Sequence, residues 1–294
     1  MIDTSNTVGG ALAASTNRLR EAGSDTPRLD AEVLLAHVME RDRTWLLAHP
    51  EAPLHDRAGY EAAVARRATG EPVAYIRGFK EWRSLRIRTD ARALIPRPET
   101  ELVVEAAAAE ISARLARKGV TVAWDVGTGS GAIAVALTLD FRQALADGRL
   151  RLIASDASGD ALALAAENLQ AHGVADDVHL ERADLLASTG ERLARPDVVT
   201  ANLPYVSSAE VDERVGSLGF EPRIAVDGGP DGLDLLRRFL AEAPDRAAPG
   251  ATLICELGVD QVEVVRGLAP EGASVSVVRD LAGLDRVVRV DLPR

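Results

Sequence analysis

From residue 100 onward, short apolar runs alternate with longer segments in which apolar residues recur every three or four positions. The short runs have the length of strands and the longer segments that of helices, so the pattern predicts strands alternating with helices. Such alternation is typical of a parallel sheet covered by helices on both faces. The predicted strands are 121–125, 151–155, 178–181, 197–201, 252–256, 274–279 and 286–291, and the predicted helices include 101–117, 131–139, 159–171, 231–243 and 260–268.

The last two predicted strands are joined by the short stretch DLAGLD. A parallel crossover needs about a dozen residues or more, so this pair is predicted to be antiparallel. A seven-stranded sheet with its last strand reversed resembles the Rossmann-like sheet of the methyltransferases, and the expected strand order is taken from that resemblance. The fold class expected for this part of the chain is therefore α/β.

The first 70 residues carry helical patterns and no such alternation. In TPRLDAEVLLAHVMER, the three- and four-residue spacing predicts one apolar helix face. That face is formed by Leu29, Val33, Leu34, His37 and Val38. We therefore expect a small N-terminal helical domain.

The pattern changes again between about residues 73 and 98, where LRIRTDARALI alternates apolar and polar positions and predicts a β-hairpin linker. Prolines on both sides of Arg97 then precede the next helix. We place the domain boundary near residue 90. This gives a helical domain over 1–90 and an α/β domain over 91–294.

Composition excludes several classes of protein. The chain has 294 residues, 47% of them hydrophobic, and no apolar run approaches the length of a membrane span. Its N-terminus lacks the basic and apolar segments of a signal peptide. Cys255 is the one cysteine and the five histidines are scattered, so we expect neither a disulfide nor a metal site. These features predict a cytoplasmic protein with no membrane partner.

The charge is unevenly distributed. Residues 1–90 are neutral overall, whereas residues 91–294 carry the whole net charge of −11. An acidic domain is a poor general binder of nucleic acid, so no direct nucleic-acid partner is expected. The stretch RGFKEWRSLRIR is a local exception, and it is either a solvated strand edge or a contact surface for an anionic partner. Its basic residues are Arg77, Lys80, Arg83, Arg86 and Arg88.

The first stretch with chemical meaning is VAWDVGTGSGAIAVAL, in which a predicted strand ends and a glycine-rich turn leads into a helix. Glycine lets a ligand approach the backbone closely, and such a turn suits either a dinucleotide or S-adenosylmethionine. The carboxylate of Asp125 before the turn would repel a pyrophosphate and suits a cationic ligand, which favours S-adenosylmethionine. The turn residues expected at the ligand are Gly127, Thr128, Gly129, Ser130 and Gly131.

Two further acids come at the ends of predicted strands. Asp156 lies where a carboxylate can accept hydrogen bonds from both ribose hydroxyls of an adenosine ligand. Asp184 lies beside the expected adenine pocket, where it can accept a bond from the adenine amino group while Leu185 packs on the ring. The alternatives are an N-cap role for Asp156, for which Ser158 is an equal candidate, and an exposed loop acid at Asp184.

The fourth predicted strand ends in NLPY. Methyl transfer to a planar amide nitrogen needs acceptors that hold its N–H groups while the lone pair faces the methyl carbon. The side-chain oxygen of Asn202 and the carbonyl of Leu203 can be these acceptors, because Pro204 restricts Leu203 to an extended form. Tyr205 supplies a flat wall against the amide. We therefore predict Asn202, Pro204 and Tyr205 as catalytic, the four residues together as the substrate pocket, and Asn202 as a cofactor contact.

Seven stretches resemble, in this order, the protein N5-glutamine methyltransferases that modify peptide-chain release factors (the HemK/PrmC family). The similarity begins near residue 28 and runs to the C-terminus. The stretches are RLDAEVLLAHVMERDRTWLLAHPE, EPVAYIRGFKEW, LIPRPETELVVE, WDVGTGSGAIAVAL, NLPYV, FEPRIAVDGGPDGLDLLRRFL and ICELGVDQ.

The resemblance implies a cofactor, a substrate and a role for the N-terminal domain. S-adenosylmethionine would lie against Gly127 to Gly131, Asp156 and Leu185. The substrate would be the glutamine of the Gly-Gly-Gln loop of a release factor, held by Asn202 to Tyr205. The N-terminal domain would help to grip the release factor.

Two residues depart from the usual pattern of that family. Leu203 stands in place of the first proline of Asn-Pro-Pro-Tyr, and Leu185 stands where some members carry an aromatic residue. Asn-Leu-Pro-Tyr is also the form seen in rRNA adenine-N6 dimethyltransferases, so adenine-N6 methylation of nucleic acid is an alternative. Glutamine methylation of a ribosomal protein and a cofactor-binding module without catalysis are two others.

Overall fold

The chain divides into two compact units in the computed structural model. One unit takes in Met1–Phe79 with Arg214–Phe220, and the other Lys80–Glu213 with Glu221–Arg294. Within the described residues, no helix combines the length and the apolar character that a membrane crossing requires. The structure describes residues 6–117, 119–188, 194–213, 219–258 and 260–294.

The N-terminal unit is helical. Its helices are α1 (Val8–Glu21), α2 (Pro27–Met39), α3 (Arg43–Ala48), α4 (Arg57–Ala68) and α5 (Val73–Arg77). The predicted apolar face of α2 is wrong in part, because Leu29 is 41% exposed. The face that packs on α1 and α4 runs instead through Ala31, Leu34 and Leu35.

The α/β unit begins with a two-stranded sheet formed by β1 (Phe79–Trp82) and β2 (Leu85–Arg88). The helices are α6 (Thr100–Leu115), α7 (Ala132–Asp140), α8 (Arg142–Ala146), α9 (Gly159–Ala171), α10 (Ser208–Asp212), α11 (Asp234–Arg246) and α12 (Val262–Leu268). The strands are β3 (Thr121–Val126), β4 (Leu150–Asp156), β5 (Val178–Asp184), β6 (Ala187–Ser188), β7 (Val198–Ala201), β8 (Thr252–Glu256), β9 (Ser274–Arg279) and β10 (Asp285–Asp291).

The described strands of the main sheet lie in the order β6-β5-β4-β3-β7-β8-β10-β9. Strands β5, β4, β3, β7 and β8 are parallel, and β10 runs antiparallel to both of its neighbours. The predicted α/β sheet of seven strands with a reversed last strand is therefore confirmed, and the two-residue β6 extends one edge. Because five parallel strands end along one edge of the sheet, the loops that follow them lie side by side.

Helices cover both faces of this sheet, which explains the continuous apolar runs of its strands. On β3, Val122, Trp124 and Val126 belong to one hydrophobic cluster, whereas Ala123 belongs to another. The first cluster includes Phe239 of α11, and the second includes residues of α6 and α7. Each central strand is thus fixed between two cores, so the positions of its terminal residues are fixed as well.

Candidate active site

A cleft opens where the parallel strands end. Its lining includes most of the residues that the sequence predicts to bind a ligand, although they come from four separate stretches of the chain. Gly131 and Tyr205 are the predicted residues outside this lining. The predicted residues that line the cleft are Gly127, Thr128, Gly129, Ser130, Asp156, Asp184, Leu185, Asn202, Leu203 and Pro204.

The glycine-rich turn after β3 uses the left-handed region of backbone conformation. Gly127, Gly129 and Gly131 have φ values of 67°, 54° and 78°. Residues other than glycine rarely adopt such values. Gly131 immediately precedes α7, and a Cβ atom there would lie 3.0 Å from the Cβ of Ala165 in α9. The turn therefore combines an exposed backbone with close packing against a helix.

Asp125 lies behind this turn and not in the cleft. Its carboxylate is 1% exposed and accepts hydrogen bonds from the hydroxyls of Thr128, at 2.6 Å, and Thr200, at 2.8 Å. Burial raises the pKa of Asp125 to about 6. The expectation that this carboxylate faces a cationic ligand is wrong, since its oxygens bond within the protein and hold the turn to β7.

Asp156, at the end of β4, connects two turns. Its Oδ2 accepts the N–H of Gly129 at 2.9 Å, and its Oδ1 accepts the N–H of Ser158 at 2.9 Å. Burial raises the pKa of Asp156, and these backbone donors oppose the rise. The N-cap of α9 is Ser158, whose hydroxyl accepts from the N–H of Ala161. Each carboxylate oxygen of Asp156 has a further lone pair that a ligand hydroxyl can use.

Asp184 and Leu185, after β5, differ in exposure. The Asp184 side chain is 59% exposed, and its Oδ2 accepts a hydrogen bond from Arg238 at 2.7 Å. Leu185 is 6% exposed and has a φ of 53°. An apolar wall and a paired acid therefore lie next to each other in the cleft lining.

The side-chain amide of Asn202, after β7, forms hydrogen bonds through its nitrogen and, among the described residues, none through its oxygen. Its Nδ2 donates to Thr100 Oγ1 at 3.1 Å and to Glu256 Oε2 at 3.0 Å. Its Oδ1 is buried and has no hydrogen-bond partner among the described residues. Nearly all buried polar atoms in proteins are hydrogen-bonded, so an orphan acceptor at a cleft marks a place for a donor from a ligand.

Two residues that sequence analysis did not select support this amide. Glu256 ends β8, is 4% exposed, and accepts the Thr100 hydroxyl at 2.5 Å through Oε2. Its Oε1 accepts the phenol O–H of Tyr205 at 3.3 Å. Burial raises the pKa of Glu256; burial, and then the negative charge of Glu256, raise the pKa of Tyr205 to about 12. The available signal was the acid at the end of β8, the strand that neighbours β7.

The segment 226–234 packs closely against the backbone of the Pro204–Tyr205 segment. The N–H of Gly228 donates to the Val206 carbonyl at 2.8 Å. A Cβ atom at Gly228 would lie 2.6 Å from the Pro204 carbonyl oxygen, and one at Gly232 would collide with that of Tyr205. Only glycine leaves space for this contact, because real Cβ atoms do not approach so closely.

Residues 10–78 match the family described as the PrmC N-terminal domain. A release factor glutamine methyltransferase from Cereibacter sphaeroides is 40% identical over 288 residues, which cover 96% of this chain and 98% of that protein. One from Xylella fastidiosa (strain Temecula1) is 39% identical over 280 residues, which cover 94% of each chain. This chain belongs to the release factor glutamine methyltransferase family. Membership of this family makes the enzyme a methyltransferase.

A solved structure of another protein has the same fold as this member of the release factor glutamine methyltransferase family. The hMettl16 catalytic domain in complex with MAT2A 3'UTR hairpin 1 superposes with a TM-score of 0.53 at 11% identity, covering 83% of this chain and 86% of that chain. The superposition shows a shared fold. At an identity this low, it carries no information about the substrate of the present enzyme.

The structure gives a physical reason for two stretches of the family resemblance, IPRPE and FEPR. Buried Glu221 accepts the N–H of Ile95 at 3.1 Å and pairs with the guanidinium of Arg97. Pro96, between Ile95 and Arg97, and Ile224, three residues after Glu221, both line the cleft. The ion pair therefore holds two walls of the cleft together, and each stretch needs the other.

The basic stretch around β1 and β2 contains ion pairs within the α/β unit. Arg83 pairs with Asp140 at 2.9 Å, and Arg88 approaches Glu167 at 3.4 Å. These pairs favour the interpretation of the stretch as a solvated strand edge over that of a contact surface for an anionic partner.

Proposed function

We propose that this enzyme transfers a methyl group from S-adenosylmethionine to the side-chain amide nitrogen (N5) of the glutamine in the Gly-Gly-Gln motif of a peptide-chain release factor. The observation that carries the proposal is the buried, unpartnered Oδ1 of Asn202 at the cleft. A primary amide has two N–H donors, and such an acceptor needs one of them. The relatives are release factor glutamine methyltransferases, and this supports the same substrate.

The residues of the cleft fit S-adenosylmethionine. When bound, this cofactor supplies the methyl group from its sulfonium sulfur. Asp156 offers acceptors for the ribose hydroxyls, and the positive-φ turn from Gly127 to Gly131 lets a ligand approach the backbone. Leu185 offers an apolar surface to the adenine ring, and Asp184 keeps oxygen lone pairs for the adenine amino group despite its pairing with Arg238.

The substrate amide is held by oxygens. The Oδ1 of Asn202 accepts one N–H and the carbonyl of Leu203 accepts the other, which leaves the nitrogen lone pair free to point at the methyl carbon. Tyr205, which follows Pro204 and lies outside the lining of the cleft in this structure, would offer its ring as an apolar wall for the amide plane. As the nitrogen gains a bond to carbon it becomes positive, and these oxygens stabilise that charge until the nitrogen loses a proton. No strong base is needed because the attacking nitrogen is neutral.

The alternatives are less well supported. An adenine amino group offers the same pair of N–H donors, so the pocket by itself accepts either substrate. A nucleic-acid substrate requires clustered cations, whereas the net charge of −11 belongs to residues 91–294. Relatives of nearly full length carry the name of the release factor activity, and this favours it over methylation of a ribosomal protein or binding without catalysis.

The decisive experiment is mass spectrometry of an unmodified release factor incubated with the enzyme and S-adenosylmethionine. We expect a gain of one methyl group on the Gly-Gly-Gln peptide, lost when that glutamine is replaced by alanine. Methylation at another residue, or none, would refute the proposed substrate. Because release factors act in translation, we place the enzyme in the cytoplasm.

We further propose that the helical domain over about 1–90, matched over 10–78 by the PrmC N-terminal domain family, docks the release factor. Removing residues 1–79 should leave cofactor binding by the remaining α/β unit intact and abolish methylation of the whole factor. Cofactor titration of the truncated protein controls for its folding. Full methylation by the truncated enzyme would eliminate the docking role.

A further inference from the structure

Resting on the proposed function, we infer that Glu256 is a positioning residue that decides which atom of the Asn202 amide faces the substrate. Three side chains form a closed set of hydrogen bonds: Asn202 Nδ2 donates to both Thr100 and Glu256, and Thr100 donates to Glu256. The Oδ1 of Asn202 is left outside this set, buried and unpartnered among the described residues.

The assignment of donors within this set allows one orientation of the amide. A carboxylate accepts hydrogen bonds and donates none. The hydroxyl of Thr100 has one hydrogen, and Glu256 Oε2 takes it at 2.5 Å, so the same hydroxyl can only accept from Asn202. Both neighbours of the Asn202 amide are therefore acceptors. Turning the amide over would place its oxygen against two oxygens and direct its N–H groups at the substrate.

That reversed orientation would be unproductive. A substrate amide nitrogen carries two hydrogens and needs an acceptor opposite, so an Asn202 N–H group facing it would repel it. Glu256 fixes the correct orientation although it does not line the cleft. The same carboxylate accepts the Tyr205 phenol at 3.3 Å, so one side chain from β8 orients two residues of the substrate pocket.

An exchange of chemical groups tests this inference without changing side-chain size. In Asn202→Asp, two carboxylates face each other and the pocket acceptor is displaced. In Asn202→Asp combined with Glu256→Gln, the glutamine N–H₂ group can donate to one Asp oxygen and leave the other as the pocket acceptor. Thr100 fits both arrangements, because a hydroxyl can donate or accept.

We expect Asn202→Asp to lower kcat/KM on unmodified release factor by about 100-fold. The kcat/KM of the double variant should be at least about tenfold higher than that of Asn202→Asp. Glu256→Gln should keep more activity than Glu256→Ala, since a glutamine oxygen can still accept from Asn202. Losses should appear in kcat, and cofactor affinity measured by calorimetry should change little. The matched control is Glu110→Gln, which removes a partly buried carboxylate that pairs with Arg114 and Arg289 outside the cleft.

A second measurement does not depend on activity. In protein labelled with ¹⁵N at asparagine, the Asn202 side-chain N–H₂ signal is assigned by its loss in Asn202→Asp. Its hydrogen exchange should be slow in the wild type and in Glu256→Gln, and faster in Glu256→Ala. Exchange that is equally fast in all three, or a double variant no faster in catalysis than Asn202→Asp, overturns the inference. A wild-type enzyme that methylates no release factor refutes the proposed function, and the exchange data then still decide the role of Glu256.

Discussion

Asp156 Oδ2 accepts the backbone N–H of Gly129 at 2.9 Å. The carboxylate at the end of β4 therefore holds the glycine-rich turn that follows the neighbouring strand β3. Its other oxygen accepts the N–H of Ser158. The residue predicted to bind a ribose thus has a second task, since it also fixes the backbone on which the cofactor would lie. Loss of either task would weaken binding of the same ligand.

Asp156→Asn tests whether a carboxylate is required at this position or whether another polar side chain of the same size is enough. The amide group would set its N–H₂ against a backbone N–H, and an unsatisfied buried donor costs about 1–3 kcal/mol. We expect S-adenosylmethionine affinity to fall by about tenfold or more, measured by isothermal titration calorimetry. The control Asp177→Asn changes an exposed acid before β5 and should leave affinity unchanged. An unaltered affinity in Asp156→Asn would remove the ribose-binding role.

Asn202→Ala should reduce catalysis strongly and change cofactor affinity little. The change removes the Oδ1 acceptor opposite the substrate amide, and loss of one such preorganised group costs about 10²–10³ in kcat. Single-turnover methylation of release factor and cofactor calorimetry give the two quantities separately. Asn17→Ala, at an exposed asparagine that bonds Arg20, is the control. Parallel losses of turnover and affinity would contradict the assigned role.

Leu203→Pro should be tolerated. The proposed contribution of this residue is its backbone carbonyl, and the family pattern carries proline at this place. The leucine side chain is 7% exposed, so its loss should lower the free energy of unfolding modestly while methylation continues. Steady-state kinetics and urea unfolding check the two effects. Complete loss of activity in a folded variant would show that the side chain itself takes part.

Asp125 should make the stability of the α/β unit depend on pH. Burial raises its pKa from the ordinary 3.8 to about 6, so the folded protein binds this proton more tightly than the unfolded chain. The stability from this group is full below pH 3.8 and is lost as pH rises towards 6. The loss amounts to about 3 kcal/mol, because about two pKa units correspond to 1.36 kcal/mol each.

The test compares wild type with Asp125→Asn by urea unfolding from about pH 4 to about pH 8. The variant keeps a neutral group, so its advantage over the wild type should grow as pH rises through this window and then level off. Tryptophan fluorescence reports the transition. A difference between the two proteins that stays constant with pH would mean that Asp125 is not protonated in the folded state near pH 6.

The sheet was predictable because its central strands are buried on both faces. Each appears as an apolar run, and the observed β8 and β9 have the predicted bounds. The apolar face of α2 was predicted less well, because Leu29 has the spacing of a core residue while the neighbouring helices contact the other side. Periodicity gives the existence of a face, and tertiary packing decides which residues belong to it.

The sequence predicted Asn202, whose role is indicated by its immediate neighbours. It did not predict the hydrogen-bonded set that Asn202 forms with Thr100 and Glu256. Asn202 stands directly after a strand with a proline and an aromatic ring, which is a local signal. Thr100 and Glu256 lie 102 and 54 positions away from it, and only the arrangement of α6, β7 and β8 brings them together. Glu256 lies in the stretch ICELGVDQ of the family resemblance, but nothing in that stretch indicates that its carboxylate bonds to Asn202.

Gly228 and Gly232 have a consequence for attempts to give the enzyme a new acceptor. The Pro204–Tyr205 segment rests against bare backbone, so even one methyl group at either glycine would push it out of line. Mutant libraries aimed at a larger or differently shaped acceptor should leave both positions untouched and vary the cleft lining near Ile224, a residue that is 59% exposed. Diversity placed behind the pocket would yield misfolded loops, whereas diversity in the cleft lining changes what can enter.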